Sequence, residues 1–415
     1  MTDIASVVRI LVILLLTALT VILVTRRLAV PYTLGLVVVG LLISIFDFLP
    51  DVRLRPDLIL FVFLPALLFE GSWMMYVRYL RENWRTIFLL VGPGLLLSLV
   101  LIAVPLHFFA GLNWGLAFLL GAILSPTDPV AVLGLFRQLK VDIRLSTIIE
   151  GESLFNDGVA GALYSTFLGL VLLSVQGQPI TAGQAWLNGI LIFLLEAGGG
   201  AVIGLLCGFL VSRLVRYIDD PLVETTITII TAYGVYLLAD ALHTSGILAV
   251  ILAALVFGSY GRNIGMSEAT REAVDNFWSV LAFIANALLF LLVGAQLNPK
   301  EFFSSDTAFP LLLTAGLTIL AVLVARLVVV VLLPPIRQSA TALSLWRAVP
   351  YSWRVVIFWS GLRGALSLAL VLALPAGVPS RNTLIFSTYA VVLFTLLVQG
   401  FSLRLILRRL PSVSG

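Results

Sequence analysis

The sequence predicts an all-α polytopic membrane protein, and three observations carry that prediction. Of its 415 residues, 60% are hydrophobic and only 11% are charged, whereas soluble globular chains carry about 25% charged residues. The mean hydropathy is +1.12. The apolar residues are gathered into runs of roughly 20, the length of an α-helix that crosses a bilayer. These observations exclude a string of soluble domains and place the function inside the bilayer.

Thirteen apolar runs, separated by charged or Pro/Gly-rich segments, are the candidate transmembrane spans. Their approximate starts are residues 4, 32, 58, 87, 115, 145, 186, 222, 245, 277, 309, 355 and 382. The first span is expected to be retained, because Asp3 precedes it and Arg26 and Arg27 follow it. That charge order is the reverse of a signal peptide's.

The distribution of Lys and Arg orients the spans, because cytoplasmic loops collect basic residues. The loops after the odd-numbered spans hold 18 of the 25 Lys and Arg residues. The opposite side holds five: Arg9, Arg53, Arg55, Lys300 and Arg381. We therefore expect the N-terminus outside and the C-terminus in the cytoplasm. Because orientation accounts for the scattered positive charge, it does not indicate a nucleic-acid partner.

An odd number of spans permits six spans, a linker span and six more in inverted orientation, which is a plan that many secondary transporters use. Spans 5 and 12 would then correspond. Both contain a helix break at mid-depth, SPTDP at 125–129 and SGLRGA at 360–365. Paired interrupted helices indicate a transport site.

Charged residues inside the spans are the candidates for chemistry, because each costs about 2.5 to 3.5 kcal/mol at the bilayer centre. There are four acids and two bases: Glu70, Asp128, Glu152, Asp157, Arg326 and Arg363. The excess of acid favours a path for cations over a path for anions.

The first break places Asp128 between two prolines, Pro126 and Pro129, which remove amide donors and open the helix. Freed carbonyls, the Thr127 hydroxyl and the Asp128 carboxylate are hard oxygen ligands for a cation. A simpler reading makes Asp128 the N-cap of the second half-helix. The two readings are compatible.

The run GESLFNDG at 151–158 predicts two adjacent stripes of polar side chains on span 6. Ser153 and Asp157, four residues apart, form a hydroxyl and carboxylate pair for a cation. Glu152 and Asn156 form a second pair suited to structural support. The alternative is a solvated loop, which the apolar run that follows disfavours.

Arg326 and Arg363 need partners. Glu152 is the most economical partner for Arg326, and Arg363 competes for the same acid. Arg363 could instead offset the negative ends of half-helix dipoles at a helix crossing. Either arginine could also extend to the cytoplasmic face.

Two further patterns have structural interpretations. Gly200, Gly204 and Gly208, spaced four apart, predict a close-packing helix face. Tryptophans near the span ends are interpreted as interfacial anchors. They are Trp73, Trp84, Trp114, Trp278 and Trp353.

Five segments carry a resemblance to a known family: LPALLFEGSW, SPTDPVAV, ESLFNDG, FWSVLAFIANALLFLLVGAQL and GLRGALSLAL. Together they resemble the monovalent cation:proton antiporter-1 family, the sodium/proton exchangers of the NhaP and NHE type. The similarity runs from PYTLGLVVVGLLI at residue 31 to the last span. The combination is specific to that family, although no single segment would be.

The resemblance implies an NhaA-like antiporter fold in which 1–415 form a single transmembrane transporter domain. Dimerisation spans would lie at about 1–80 and 186–300, and core spans with two crossed, broken helices at about 87–175 and 305–405. We expect a homodimer in the plasma membrane, of the prokaryotic inner-membrane kind, with membrane lipid around it. We expect no C-terminal regulatory domain like that of animal and plant members.

The resemblance also assigns roles to residues. Asp157 is similar to the carboxylate that binds both the ion and the proton. Further ligands of the monovalent cation would be Asp128, Thr127 and Ser153, with Glu70 close by.

Three more positions match the family pattern. Asn156 stands where electrogenic members have a second Asp, a pairing similar to that of electroneutral exchangers. Glu152 and Arg326 match the buried ion pair that holds this Asn. Arg363 matches the arginine at the helix crossing.

The implied activity is electroneutral exchange of one monovalent cation for one proton by alternating access, with both competing for Asp157. Na⁺ is the expected cation, with Li⁺ or K⁺ as alternatives, and the expected role is pH homeostasis. An intramembrane aspartyl protease using Asp128 and Asp157 is a remote alternative that lacks its Gly-x-Gly-Asp pattern. We expect no enzyme activity and no cofactor beyond the transported ions.

Overall fold

The computed structural model describes residues 4–28, 31–46, 56–176, 182–296, 308–332 and 349–410. Fifteen helices follow one another in these ranges. They are α1 (Ile4–Leu28), α2 (Tyr32–Ile45), α3 (Ile59–Trp73), α4 (Val77–Ala110), α5 (Trp114–Leu124), α6 (Val130–Leu139), α7 (Ile143–Val175), α8 (Ala182–Val215), α9 (Pro221–Ala241), α10 (Gly246–Ile264), α11 (Glu268–Ala295), α12 (Ala308–Leu332), α13 (Tyr351–Trp359), α14 (Ala365–Leu372) and α15 (Arg381–Arg409). Five basic residues used to orient the spans, Arg53, Arg55, Lys300, Arg337 and Arg347, lie outside the described ranges.

Each of the thirteen predicted apolar runs coincides with a helix or with a pair of half-helices. Two helices begin earlier than predicted, α4 at Val77 rather than near 87 and α11 at Glu268 rather than near 277. Their first turns are charged, so hydropathy alone misses them. Within the described ranges, nine helices are long and apolar enough to cross a membrane. The chain is therefore a multi-pass membrane protein.

The predicted glycine face of α8 is confirmed, and it packs against α10. A Cβ atom on Gly204 would lie 2.9 Å from the Cα atom of Ala249, and one on Gly208 would lie 2.9 Å from that of Ala253. Without side chains at these positions, the two backbones approach closely.

The interpretation of the tryptophans as interfacial anchors is wrong for three of them. Trp73, Trp278 and Trp353 are 1%, 0% and 6% exposed. The indole N–H of Trp73 donates to Asp275 Oδ1 over 2.8 Å, and that of Trp278 donates to Thr228 Oγ1 over 2.8 Å. These span ends lie inside the bundle, where a neighbouring helix supplies the hydrogen-bond partner that the interface would otherwise provide.

Helices α2 and α11 run parallel and form one side of the central cavity described below. At the start of α2 and the middle of α11, the rings of Tyr32 and Phe283 lie 5.8 Å apart. Further along, the helices come so close that a Cβ atom on Gly40 would lie 2.9 Å from the Cα atom of Gly294.

Two helices are interrupted, and each interruption has a local cause. The break between α5 and α6 covers residues 125–129, where Pro126 and Pro129 cannot donate helical hydrogen bonds. The break between α13 and α14 covers residues 360–364 and contains Gly361 and Gly364. Both breaks are flanked by half-helices of eight to eleven residues.

Candidate functional site

The two helix breaks contact each other directly. The backbone N–H of Asp128 donates to the carbonyl oxygen of Leu362 over 2.8 Å. In the second break, the backbone N–H of Arg363 donates to Thr395 Oγ1 on α15 over 3.1 Å. The four ends of the half-helices therefore meet at one crossing, where backbone groups without helical partners bond to one another.

Asp128 caps two helices with one carboxylate. Its Oδ1 accepts from the N–H of Val130 at the start of α6 over 3.0 Å, and its Oδ2 accepts from the N–H of Ala365 at the start of α14 over 3.2 Å. The sequence suggested Asp128 as the N-cap of α6; the N-cap is Pro129, and Asp128 bonds to the first helical amide from the position before it. The second contact had no sequence signal, because the partners lie 237 residues apart. Both contacts place negative charge at positive helix ends.

Arg363 supplies the complementary charge. Its guanidinium Nη1 donates to the carbonyl oxygens of Ser125 and Pro126, the latter over 2.7 Å, and the residue is 1% exposed. These carbonyls lie at the C-terminal end of α5, the negative end of that half-helix. Arg363 thus bonds to backbone carbonyls, and neither to solvent nor to Glu152.

Glu152 on α7 and Arg326 on α12 form a buried ion pair. The guanidinium reaches both carboxylate oxygens, with 3.0 Å between Nη2 and Oε2, and the residues are 1% and 5% exposed. Arg326 Nη2 also donates to the carbonyl of Ile357 on α13 over 2.9 Å. The pair therefore joins α7, α12 and the half-helix before the second break.

Asn156 differs from its expected role. It is 2% exposed, and its Oδ1 has no hydrogen-bond partner among the described residues. No hydrogen bond among the described residues joins it to Glu152 or Arg326, which bond to each other and, through Arg326, to the Ile357 carbonyl. Asn156 thus lies next to the ion pair in sequence without being held by it.

Ser153 and Thr127 connect α7 to the first break. The Ser153 hydroxyl donates to the carbonyl oxygen of Thr127, which leaves the lone pairs of Ser153 Oγ free to accept or to bind a cation. Asp157 follows one turn later on the same face. No donor among the described residues bonds to its carboxylate, and Asp128 is near enough to act on it electrostatically.

A cavity of about 700 Å³ brings most of the predicted site together. It lies between α2, α3 and α11 on one side and α6, α7 and α14 on the other. Its lining includes five of the predicted site residues: Glu70, Thr127, Asp128, Ser153 and Asp157. The other four do not line the cavity. Glu152 and Arg326 are in the ion pair, Arg363 bonds to the first break, and Asn156 is buried on α7.

Three charged residues of the cavity were missing from the predicted site: Arg26, Arg137 and Glu150. The spacing of Glu150 from predicted site residues could have identified it. It precedes Ser153 by three residues and Asp157 by seven, so all three fall on one face of α7. Arg26 and Arg137 were counted only as loop residues.

The chain matches known proteins over nearly its whole length. Residues 12–409 match the family described as "Sodium/hydrogen exchanger, transmembrane". The chain is 39% identical to the Na⁺/H⁺ antiporter ApNhaP of Aphanothece halophytica over 383 residues, which cover 92% of this chain and 70% of that protein. It is 34% identical to the Na⁺/H⁺ antiporter NhaH of Halobacillus dabanensis, with 95% of each chain covered.

The fold is also that of a solved structure. The sodium proton antiporter MjNhaP1 of Methanocaldococcus jannaschii at pH 8 superimposes with a TM-score of 0.74 at 19% identity, covering 97% of this chain and 98% of that one. The resemblance found in five sequence segments is thereby confirmed, and the protease alternative is wrong because this is a family of transporters. The chain belongs to the sodium/hydrogen exchanger family.

Proposed function

We propose that this chain exchanges one Na⁺ for one H⁺ across a membrane, with both ions competing for Asp157. One observation carries the proposal. Of the three acids at the crossing, Asp128 is bonded to two N–H groups and Glu152 to Arg326. Asp157 has no donor among the described residues. Of these three acids, it is therefore the one whose negative charge a bound ion would neutralise.

The exchange follows from the ligands around Asp157. A proton on the carboxylate leaves as Na⁺ binds between the carboxylate and the oxygens of Ser153, Thr127 and Asp128, and the reverse step restores the proton. Either ion neutralises the charge. Since moving a bare carboxylate through apolar surroundings costs about 2.5 to 3.5 kcal/mol, the core domain crosses only when an ion is bound.

Asn156 supports a net exchange of one charge for one charge. Its side chain is neutral and precedes Asp157 directly in the sequence. An Asp at that position would add a second carboxylate that could bind and release a proton. Asp128 is already bonded to two backbone N–H groups at helix ends, so we do not count it as a second exchanging carboxylate. With one exchanging carboxylate, each cycle moves no net charge.

The membrane arrangement is part of the proposal. We infer thirteen spans related by an inverted repeat, with the N-terminus outside, the C-terminus in the cytoplasm and the chain in a plasma membrane. The cavity supports a division into a dimerisation part, which contains α2, α3 and α11, and a mobile core, which contains α6, α7 and α14. We also infer a homodimer. Helix α8, only 11% of whose most apolar stretch is buried within the chain, leaves a face for a second copy or for lipid.

Transport in proteoliposomes that contain a pH-sensitive dye tests the function. Na⁺, Li⁺, K⁺ and Rb⁺ are added in turn to the wild type, to Asp157→Asn and to Asp240→Asn. Asp240 is an exposed acid at the end of α9, outside the cavity, and serves as the matched control. We expect Na⁺-driven proton movement in the wild type and in the control, and none in Asp157→Asn.

Two results would contradict the proposal. Equal activity of Asp157→Asn and the wild type would remove the site assignment. Transport driven by a membrane potential alone would exclude electroneutral exchange. A stronger response to K⁺ than to Na⁺ would favour the K⁺-preferring alternative.

A further inference from the structure

Three buried side chains of the cavity wall have an oxygen atom without a hydrogen-bond partner. They are Thr33 on α2, Asn286 on α11 and Ser367 on α14, which are 0%, 8% and 1% exposed. For each, the side-chain oxygen has no partner among the described residues, and each residue lines the cavity. Buried polar atoms in folded proteins are nearly always hydrogen-bonded, so three exceptions in one cavity indicate a ligand.

The positions of the two hydroxyls explain why their own helices do not satisfy them. Buried hydroxyls elsewhere in the chain donate to the carbonyl four residues earlier, as Thr25 does to Val21 and Ser72 to Leu68. Thr33 and Ser367 lie in the first turns of α2 and α14. The carbonyl four residues earlier precedes the helix in each case, and so the hydroxyl remains available to the cavity.

The packing of α2 against α11 places Thr33 and Asn286 on the same wall of the cavity. Both lie between the ring contact of Tyr32 with Phe283 and the close approach of Gly40 to Gly294. Ser367 is on the opposite side, two residues after Ala365, whose N–H bonds to Asp128. Helix α14 also contacts α11 directly.

We propose that Thr33, Asn286 and Ser367 form a second, uncharged subsite for the monovalent cation in this cavity, with Thr33 and Asn286 on the α2–α11 wall and Ser367 on α14. Two hydroxyls and an amide carbonyl are hard oxygen ligands that replace part of the hydration shell of such a cation. None of the three titrates near neutral pH, so this subsite binds the cation without exchanging a proton. It is where cations of different size are distinguished before one reaches Asp157. This inference rests on the proposed antiport.

The first test compares near-isosteric variants with matched controls. Thr33→Val, Asn286→Leu and Ser367→Ala each remove an unpartnered oxygen, whereas Thr25→Val and Ser72→Ala remove a hydroxyl that is bonded within its own helix. The KM values for Na⁺, Li⁺ and K⁺ are measured at fixed pH. We expect each subsite variant to raise the KM for Na⁺ at least threefold and to change the ratios of the three KM values, while the controls keep the wild-type ratios.

A purely structural role predicts a different pattern, in which the rates for all three cations fall together and the ratios stay constant. That result, or unchanged KM values, would overturn the proposal.

The second test does not depend on transport. Binding of radioactive ²²Na⁺ to the purified protein is measured in Asp157→Asn, with and without Asn286→Leu. We expect weak binding in the single variant and none in the double variant, and equal binding in the two would overturn the subsite. Failure of wild-type Na⁺/H⁺ exchange would count against the proposed function instead, because it is measured separately.

Discussion

Asp128 lies in the first helix break and Arg363 in the second, and the side chain of each bonds to the backbone at the opposite break. The Asp128 carboxylate accepts from the N–H of Ala365 beyond the second break, and the Arg363 guanidinium donates to the carbonyls of Ser125 and Pro126 in the first. The two side chains thus join the half-helices through three hydrogen bonds between the breaks. Neither side chain needs the other as an ion-pair partner, because helix ends compensate both charges.

Removing one side of this tie should destabilise the protein strongly. In Arg363→Met the carbonyls of Ser125 and Pro126 lose a buried charged donor, and we expect a loss on the order of 1 to 3 kcal/mol for each carbonyl left unsatisfied. Arg363→Lys keeps the charge but not the planar fork, so it should recover part of the loss. Thermal unfolding in detergent measures both, with Arg78→Met as a control at a site that is 86% exposed. Equal melting temperatures for Arg363→Met and the control would contradict the expectation.

The ion pair of Glu152 with Arg326 should behave as a unit. Each single neutralisation, Glu152→Gln or Arg326→Gln, leaves a buried charge without a partner and should cost about 3 to 5 kcal/mol. The double variant leaves no charge and should be more stable than the sum of the single losses predicts. A double-mutant cycle on melting temperatures measures the coupling, and strictly additive losses would mean that the two side chains do not interact.

Gly364 should not tolerate a side chain. A Cβ atom there would overlap Asp128 Oδ2, so Gly364→Ala must displace the carboxylate that caps α6 and α14. We expect transport to fall at least tenfold. Gly316→Ala on α12 is the matched control, because a Cβ atom there meets nothing within 4 Å and alanine favours a helix by about 1 kcal/mol. Full activity of Gly364→Ala would show that the carboxylate need not stay in place.

Charges of opposite sign in the cavity should change cation affinity in opposite directions. Glu150 precedes Asp157 by two helical turns, about 10 Å along the axis, and Arg137 lines the same cavity. At that distance one unit charge alters the free energy of a bound cation enough for about a two- to fourfold effect. Glu150→Gln should therefore raise the KM for Na⁺, and Arg137→Gln should lower it.

Ionic strength separates this effect from a change of shape. The two shifts should shrink when choline chloride is raised to about 1 M, where charges are screened within roughly 3 Å. Shifts of the same sign in the two variants would contradict an electrostatic origin.

The sequence was sufficient for the parts of this molecule that depend on single residues and short spacings. Apolar runs predicted the helices, and prolines and glycines predicted the breaks. The cost of burying charge singled out Asp128, Asp157 and the pair of Glu152 with Arg326. Each of these signals depends on neighbouring residues or on the bilayer as a solvent. It can therefore be recognised from the sequence without knowing which helices pack together.

The remaining features depend on contacts between distant segments. The bond from Asp128 to Ala365 requires the two breaks to cross, and the burial of Trp73 and Trp278 requires neighbouring helices at their span ends. Thr33, Asn286 and Ser367 carry no charge, so nothing in the sequence separates them from other polar residues inside spans. Only the three-dimensional structure shows that their oxygens have no hydrogen-bond partner and face one cavity.

The double cap of Asp128 also bears on how the protein is made. The bond to Val130 joins residues two apart, whereas the bond to Ala365 joins residues 237 apart. A ribosome adds about 5 to 20 residues per second, so the second partner is synthesised roughly 10 to 50 seconds after the first. During that interval the first half of the chain holds an acid with half of its bonds made. The crossing therefore closes as a late step of biogenesis, after the spans on both sides of it are in the membrane.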